Sequence, residues 1–364
     1  MSFLEKFGLN RDPFFTWPLA TDKDLLLFVD REKELKNAVE AILLSKNLLI
    51  AGTYGIGKTS FINAVRQNLS SRKGNLIFID VRLLNPKDLN SNSFVLALAL
   101  ELEKQKSRGK PFTLETMRRH HDYIDALSNT SVGELILLLE TSIEELQRKA
   151  KKVIFILDDL DKTSFDLKML AGIRDSLWKM NVVYIVTSNI SQYQGIIDSA
   201  MEPFFSEIVL NGFNESQTKE LIEKRLRMAS HKSTEDVMDP EVISAIQNLS
   251  QGNPSRILRI CSFAFHQALS RGANKVSMHD VSEYYKRINF STLERELINI
   301  LSKYSRSLSV GEILQEITGR NIMISRPRVS QILGKLTRAG FLKRKKLGRH
   351  HLYTTVIPME VKSK

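Results

Sequence analysis

The chain has 364 residues, 42% hydrophobic and 26% charged, enough for two or three domains whose cores need no covalent staples. Its net charge of +12 is unevenly placed: Lys286 to Lys364 holds 17 Lys and Arg against five acids, the rest balances 36 against 36, and a basic tail domain on a neutral body points to a polyanion partner. A single cysteine excludes an internal disulfide and fits a reducing compartment, while the lack of a secretory-signal pattern or of a run of roughly 18 apolar residues argues against a membrane partner and for a cytoplasmic, nucleoid-associated location.

Five short apolar runs predict strands, at 48–51, 76–79, 153–157, 182–186 and 208–210. They are nearly continuous in apolar residues rather than alternating, the pattern of parallel strands covered on both faces. Helical patterns lie between them, so the expected fold is α/β with a parallel sheet. The first run is followed by Gly52-Thr53-Tyr54-Gly55-Ile56-Gly57-Lys58-Thr59, a full match to the phosphate-binding loop pattern, with a predicted helix behind it. Glycines let backbone amides approach phosphates closely, and the helix N-terminus adds partial positive charge. Lys58 is expected to reach the β and γ phosphates, Thr59 to ligate Mg2+, and Ser60 to join the ATP contacts.

The stretch from Asp80 to Lys152 is long for one crossover. It carries helical patterns around 94–100 and 135–146, and between them a basic segment, 104–121, which reads as a solvated surface or as a DNA-contacting insertion. The third run ends in Asp158-Asp159. A buried strand ending in two carboxylates places Asp158 on the metal and Asp159 where the attacking water is polarised. The fourth run ends in Thr187-Ser188-Asn189, a place from which Asn189 can sit between the γ-phosphate and that water.

Beyond Phe213 the strands stop. Helices are expected near 217–228, 240–249, 254–269 and 278–288, the third opened by Gly252-Asn253-Pro254-Ser255-Arg256. Arg256 can couple this helical unit to nucleotide state. Cys261 beside Phe263 and Phe265 reads as packing. From 291 to 357, three helical patterns and two strand-like pieces, 341–344 and 351–354, describe a winged helix-turn-helix. In its third helix Val329, Ile332, Leu333 and Leu336 face the core, leaving Arg326, Arg328, Ser330, Gln331 and Lys335 for base edges of duplex DNA. Lys343, Arg344, Lys345, Lys346 and Arg349 of the wing suit phosphates or a minor groove.

Taken in this order, the motifs resemble those of the AAA+ ATPases, and most closely the origin-recognition and replication-initiator branch. Val29-Asp30-Arg31-Glu32-Lys33-Glu34-Leu35 resembles that family's box near the adenine, which adds Arg31 to the nucleotide contacts. Asp158-Asp159-Leu160-Asp161-Lys162 resembles its Walker B motif and Ser188-Asn189 its first sensor. The resemblance implies a base at 1–213, a helical lid at 214–288 and a winged helix at 289–364. It also implies an ATPase that binds double-stranded DNA and a protein partner or itself. The segment Phe7 to Phe14 resembles transposition-helper ATPases, and Gly252-Asn253-Pro254 resembles signal-transducing STAND ATPases, so both alternatives stay open. Three departures from the pattern favour a slow switch over a fast motor. Asp159 stands where Glu is usual, 201–207 has no arginine, and Arg256 lies one residue after the sensor position held by Ser255.

Overall fold

A computed structural model describes residues 12–71, 76–81, 91–106, 130–148, 152–158, 174–189, 205–230, 233–286, 290–304, 306–320, 322–338, 341–347 and 350–355. Asp159 to Lys162 and Arg349 lie outside these residues, as do 7–11, 201–204 and 107–121 of the basic segment. The chain forms two compact units, one of Pro18–Asn211 and one of the described residues on either side of it.

The first unit contains α1 (Asp22–Leu25), α2 (Glu32–Leu43), β1 (Asn47–Ala51), α3 (Lys58–Ser70), β2 (Leu76–Asp80), α4 (Ser91–Lys106), α5 (Val132–Gln147), β3 (Lys152–Leu157), α6 (Arg174–Lys179), β4 (Val182–Ser188) and β5 (Phe205–Val209). The strands form one sheet in the order β2-β3-β4-β1-β5, with every neighbouring pair parallel. The continuous apolar runs have a direct reason: successive residues feed opposite cores. Leu49, Phe155 and Tyr184 pack with α4 and α5 on one face. Leu48, Ile50, Ile154, Ile156 and Ile185 pack with α2 and α3 on the other. Because β4 separates β1 from β3, the register Ala51↔Ser188 and Leu157↔Val186 brings three strand ends side by side. In open α/β sheets that carboxyl edge is where ligands bind.

In the second unit, α7 (Glu215–Ala229), α8 (Thr234–Val237), α9 (Pro240–Ser250), α10 (Pro254–Ser270) and α11 (Met278–Lys286) form a helical cluster. Cys261 is fully buried there, and burial raises its pKa well above the ordinary value. The segment before the first unit docks here: the rings of Phe14 and Phe265 meet edge-on at 5.9 Å. Arg225 stacks on the Phe15 ring at 4.1 Å and donates to the Phe15 carbonyl at 3.0 Å.

The unit continues through α12 (Thr292–Ser302), β6 (Leu308–Ser309), α13 (Val310–Thr318), α14 (Arg326–Arg338), β7 (Leu342–Leu347) and β8 (His350–Thr355). The sheet order β6-β8-β7, all antiparallel, completes a winged helix. Reciprocal capping boxes, Ser291 with Glu294 and Ser309 with Glu312, start α12 and α13. Lys345 and Lys346, expected in the wing's turn, lie within β7 opposite Leu352 and His351. The ladder runs out to Leu347↔His350. A run of four basic side chains gives no alternation by which the strand's end shows in the sequence.

Candidate functional site

The loop after β1 is held in a shape that only glycine permits at three points. Gly55 and Gly57 have φ of 79° and 99°. A Cβ on Gly52 would lie 2.7 Å from Ile56 Cγ2 and 3.2 Å from the Leu210 carbonyl oxygen. The loop thus folds back on itself, with Ile56 buried as its plug, and Gly57 caps α3. Thr53 and Tyr54 point outward, Tyr54 at 70% exposure. Lys58 opens α3, is 7% exposed, and donates from Nζ to the Gly52 carbonyl at 3.0 Å. Ser60 accepts the Leu19 N–H at 3.1 Å, and Asn63 donates to the Leu19 carbonyl at 2.8 Å, so the chain entering this unit is tied to the same helix.

Asp158 follows β3, two strands from the loop. Its Oδ2 accepts from the Thr59 hydroxyl at 2.6 Å, and its Oδ1 accepts from the Thr187 hydroxyl at 2.8 Å. Thr187 belongs to the intervening β4 and is fully buried. It braces the carboxylate that faces Thr59. The sequence shows it only as one of three polar residues at a strand end, and nothing there separates its role from that of Asn189. Asn189 directly follows β4 at the same edge, and its carbonyl accepts from Ser188 Oγ at 3.1 Å.

Arg31, expected near the adenine, is held by backbone carbonyls. It caps α2 with φ of 68°, next to Asp30 at 53°, two consecutive non-glycine residues in the left-handed region. Such backbone costs of order 1 kcal/mol or more per residue and persists where surrounding contacts over-determine it. The contacts here include two carbonyls. Arg31 Nη2 donates to Asn211 at 2.9 Å and, less closely, to Ile56 of the loop at 3.4 Å. Burial lowers its pKa from the ordinary value, opposed by the nearby Glu34 and Asp30.

A hydroxyl and a carboxylate in contact are hard oxygen donors of the kind that suit Mg2+. The buried amine and the glycine-shaped loop suit phosphate oxygens. The residues present therefore fit a magnesium–nucleotide complex.

The second unit holds the remaining candidates. Arg256 is exposed in the first turn of α10, its N–H bonded to Asn253 Oδ1 at 3.2 Å. On α14 the core positions Val329, Ile332, Leu333 and Leu336 are buried, and Arg326, Arg328, Ser330, Gln331 and Lys335 are exposed. Three of these already have partners: Arg328 donates to Gln331 Oε1 at 2.5 Å, and Lys335 pairs with Glu294 at 2.6 Å. The Lys335 ammonium, the Ser291 N–H and the Ser291 hydroxyl hold the Glu294 carboxyl below its usual range. Along β7, Lys343, Arg344, Lys345 and Lys346 are all exposed.

Comparison with known proteins matches both units. No curated protein sequence matches the chain significantly. The winged unit, residues 290–361, matches the family described as penicillinase repressor. Among solved structures the fold is similar to Aeropyrum pernix ORC2 (TM-score 0.54, 13% identity, covering 96% of this chain and 94% of that one). It is similar also to Pyrobaculum aerophilum Cdc6p (0.53, 14%, 93% and 95%) and to Aeropyrum pernix ORC1 in complex with DNA (0.50, 20%, 92% of each). At these identities the likeness is one of fold: a P-loop sheet domain, a helical unit and a winged helix in the same order. The KAP family P-loop domain matches residues 43–235, just over half the chain, and the protein belongs to that family of P-loop NTPases.

Proposed function

We propose that this protein is an ATP-dependent, DNA-binding switch with slow ATPase activity, acting as an initiator-like or regulatory factor on duplex DNA. The observation that carries the reading is the Asp158 carboxylate held between Thr59 and Thr187, in a chain that ends in a winged helix exposing Arg326, Arg328 and four basic residues of β7. We assign the base, lid and winged helix to 1–213, 214–288 and 289–364.

Thr59 and Asp158 would hold Mg2+, which supplies charge neutralisation at the phosphates when bound. The amides of Gly52 to Lys58 would bind the phosphate oxygens. Lys58 would leave the Gly52 carbonyl for the β and γ phosphates. Thr187 keeps the Asp158 carboxylate oriented toward Thr59. Asn189 and Asp159 would orient the attacking water, and Asp159 carries one methylene fewer than the Glu usual there, which favours slow turnover. Arg31 would organise the adenine side, and Arg256 would report nucleotide state to the lid.

The family described as penicillinase repressor and the ORC1 structure in complex with DNA support duplex DNA as the ligand of the winged unit. Binding of a labelled duplex, followed by anisotropy across salt concentrations, tests this. With about six phosphate contacts, log affinity should fall against log salt with a slope near −5. Unchanged binding by Arg328→Ala combined with Lys345→Ala would sink the reading.

A further inference from the structure

The chain leaves the P-loop unit at the Asn211–Gly212 peptide, and both sides of that peptide are clamped. Upstream, Arg31 Nη2 joins the Asn211 carbonyl, at 2.9 Å, to the carbonyl of Ile56 inside the P-loop, at 3.4 Å. Downstream, the Phe213 N–H donates to the Gly252 carbonyl at 2.8 Å. The fit there is close. A Cβ on Gly212 would stand 2.4 Å from the Gln251 carbonyl oxygen, and one on Gly252 would stand 2.0 Å from that of Phe213. Backbone packed this closely transmits displacement rather than absorbing it, so residues 212–213 and 251–252 shift together.

Gln251 extends that piece to the winged helix. Its φ of 53° is left-handed, and its Nε2 donates to the Thr337 carbonyl at 2.8 Å. Thr337 lies in the last turn of α14, where helix carbonyls have no partner within the helix. A lid side chain thus supplies a cap to the helix that presents Arg326, Arg328 and Gln331.

We propose that Gln251 is a positioning residue that carries the nucleotide state of the P-loop, by way of Arg31, the Asn211–Gly212 peptide and the 251–252 loop, to the DNA-recognition helix. The proposal rests on the nucleotide-dependent DNA binding proposed above. A relay of this kind is established only by a measured coupling. It needs no contact of Gln251 with nucleotide or DNA, and predicts an effect on their coupling alone.

The test uses the full-length protein and a labelled duplex, with and without a non-hydrolysable ATP analogue and Mg2+, with analogue affinity measured separately. Gln251→Met keeps the length and removes the donor; Gln251→Lys restores a donor. The wild type should show a nucleotide-dependent change in DNA affinity of at least about fivefold, the lower end of usual couplings. Gln251→Met should reduce it to under about twofold, with analogue affinity and nucleotide-free DNA affinity unchanged, and Gln251→Lys should recover it. A Gln251→Met protein that keeps the wild-type ratio overturns the relay and leaves the function standing. Equal loss of DNA affinity in both states overturns it too, in favour of a plain structural cap. A wild type whose DNA affinity ignores nucleotide overturns the proposed function itself, and the relay with it.

Discussion

Strands β3 and β7 each have six residues, and the molecule uses them in opposite ways. In β3, Lys-Val-Ile-Phe-Ile-Leu, every residue after the first is buried between β2 and β4. In β7, Leu-Lys-Arg-Lys-Lys-Leu, every residue after the first is exposed, and its one sheet neighbour is β8. In β3 the side chains build two cores, and the proposed metal-binding carboxylate, Asp158, is the residue that follows. In β7 the side chains themselves form the proposed DNA-facing surface. The same backbone ladder serves as scaffold in one unit and as display in the other.

The sharpest way to break this contrast is stability. Phe155 is fully buried and stacks on Tyr184 with ring centroids 5.6 Å apart. Phe155→Ala should cost about 3–5 kcal/mol in denaturant-induced unfolding. Lys345→Ala on β7 should stay within about 0.5 kcal/mol of wild type. Comparable losses from the two would mean that β7 is structural after all.

A second division lies within the sheet unit, between strand and strand end. Asp158→Asn takes no atom from either core and should cost clearly less stability than Phe155→Ala. It weakens two hydrogen bonds of the charged kind, each worth roughly 1.5 kcal/mol or more, and should slow ATP turnover about 10²-fold. Thr187→Val, which removes only the brace, should slow it about tenfold. If Thr187→Val proves as damaging as Asp158→Asn, the Thr187 hydroxyl acts on the reaction directly rather than through the carboxylate.

How much of this was readable in the sequence follows the same line. The buried strands announce themselves, because feeding two cores demands apolar residues at consecutive positions; β3 and β4 match their expected runs to within two residues. The P-loop reads equally well, since its glycines have geometric reasons that no other residue meets. Legibility fails where a role depends on distant backbone. Gln251 is a surface residue by composition, and only the fold brings the Thr337 carbonyl to it. The resemblance places Arg31 near the adenine, but its grip on the Asn211 and Ile56 carbonyls, one 180 residues away, leaves no mark in the sequence. Strand β5 begins three residues before the expected run, at Phe205, because Ser206 and Glu207 pair with β1 without being apolar. The short helices α1, α6 and α8 are too brief to show a period.

A smaller effect tests the display strand on its own terms. If Lys345 and Lys346 each meet a phosphate, replacing both by Ala should make the slope of log affinity against log salt shallower by about 2, with base preference unchanged. Arg328→Ala should change base preference more than slope, because it stands on the recognition helix. An unaltered slope in the double variant would confine DNA contact to α14.

The smallest expected effect concerns how the display unit is held together in acid. Glu312 accepts from the Ser309 N–H at 2.7 Å, the Ser309 hydroxyl at 2.7 Å and Arg306 at 2.7 Å. These donors, the backbone N–H foremost, draw its pKa from an ordinary 4.5 to about 2. A carboxyl with a lower pKa folded than unfolded stabilises the folded form fully above its unfolded pKa. That contribution fades as pH falls toward the folded value. The window therefore runs from about pH 4.5 down to about pH 2. The group is partly exposed, so solvent screening keeps the contribution below ~1 kcal/mol. Glu312→Gln retains a hydrogen-bond acceptor for the cap but cannot titrate. Unfolding measured from pH 6 downward should show the wild type more stable than the variant above that window, with the gap closing as the pH falls through it. A gap that does not change with pH would mean that the cap works by hydrogen-bond geometry alone and that the charge on Glu312 contributes nothing.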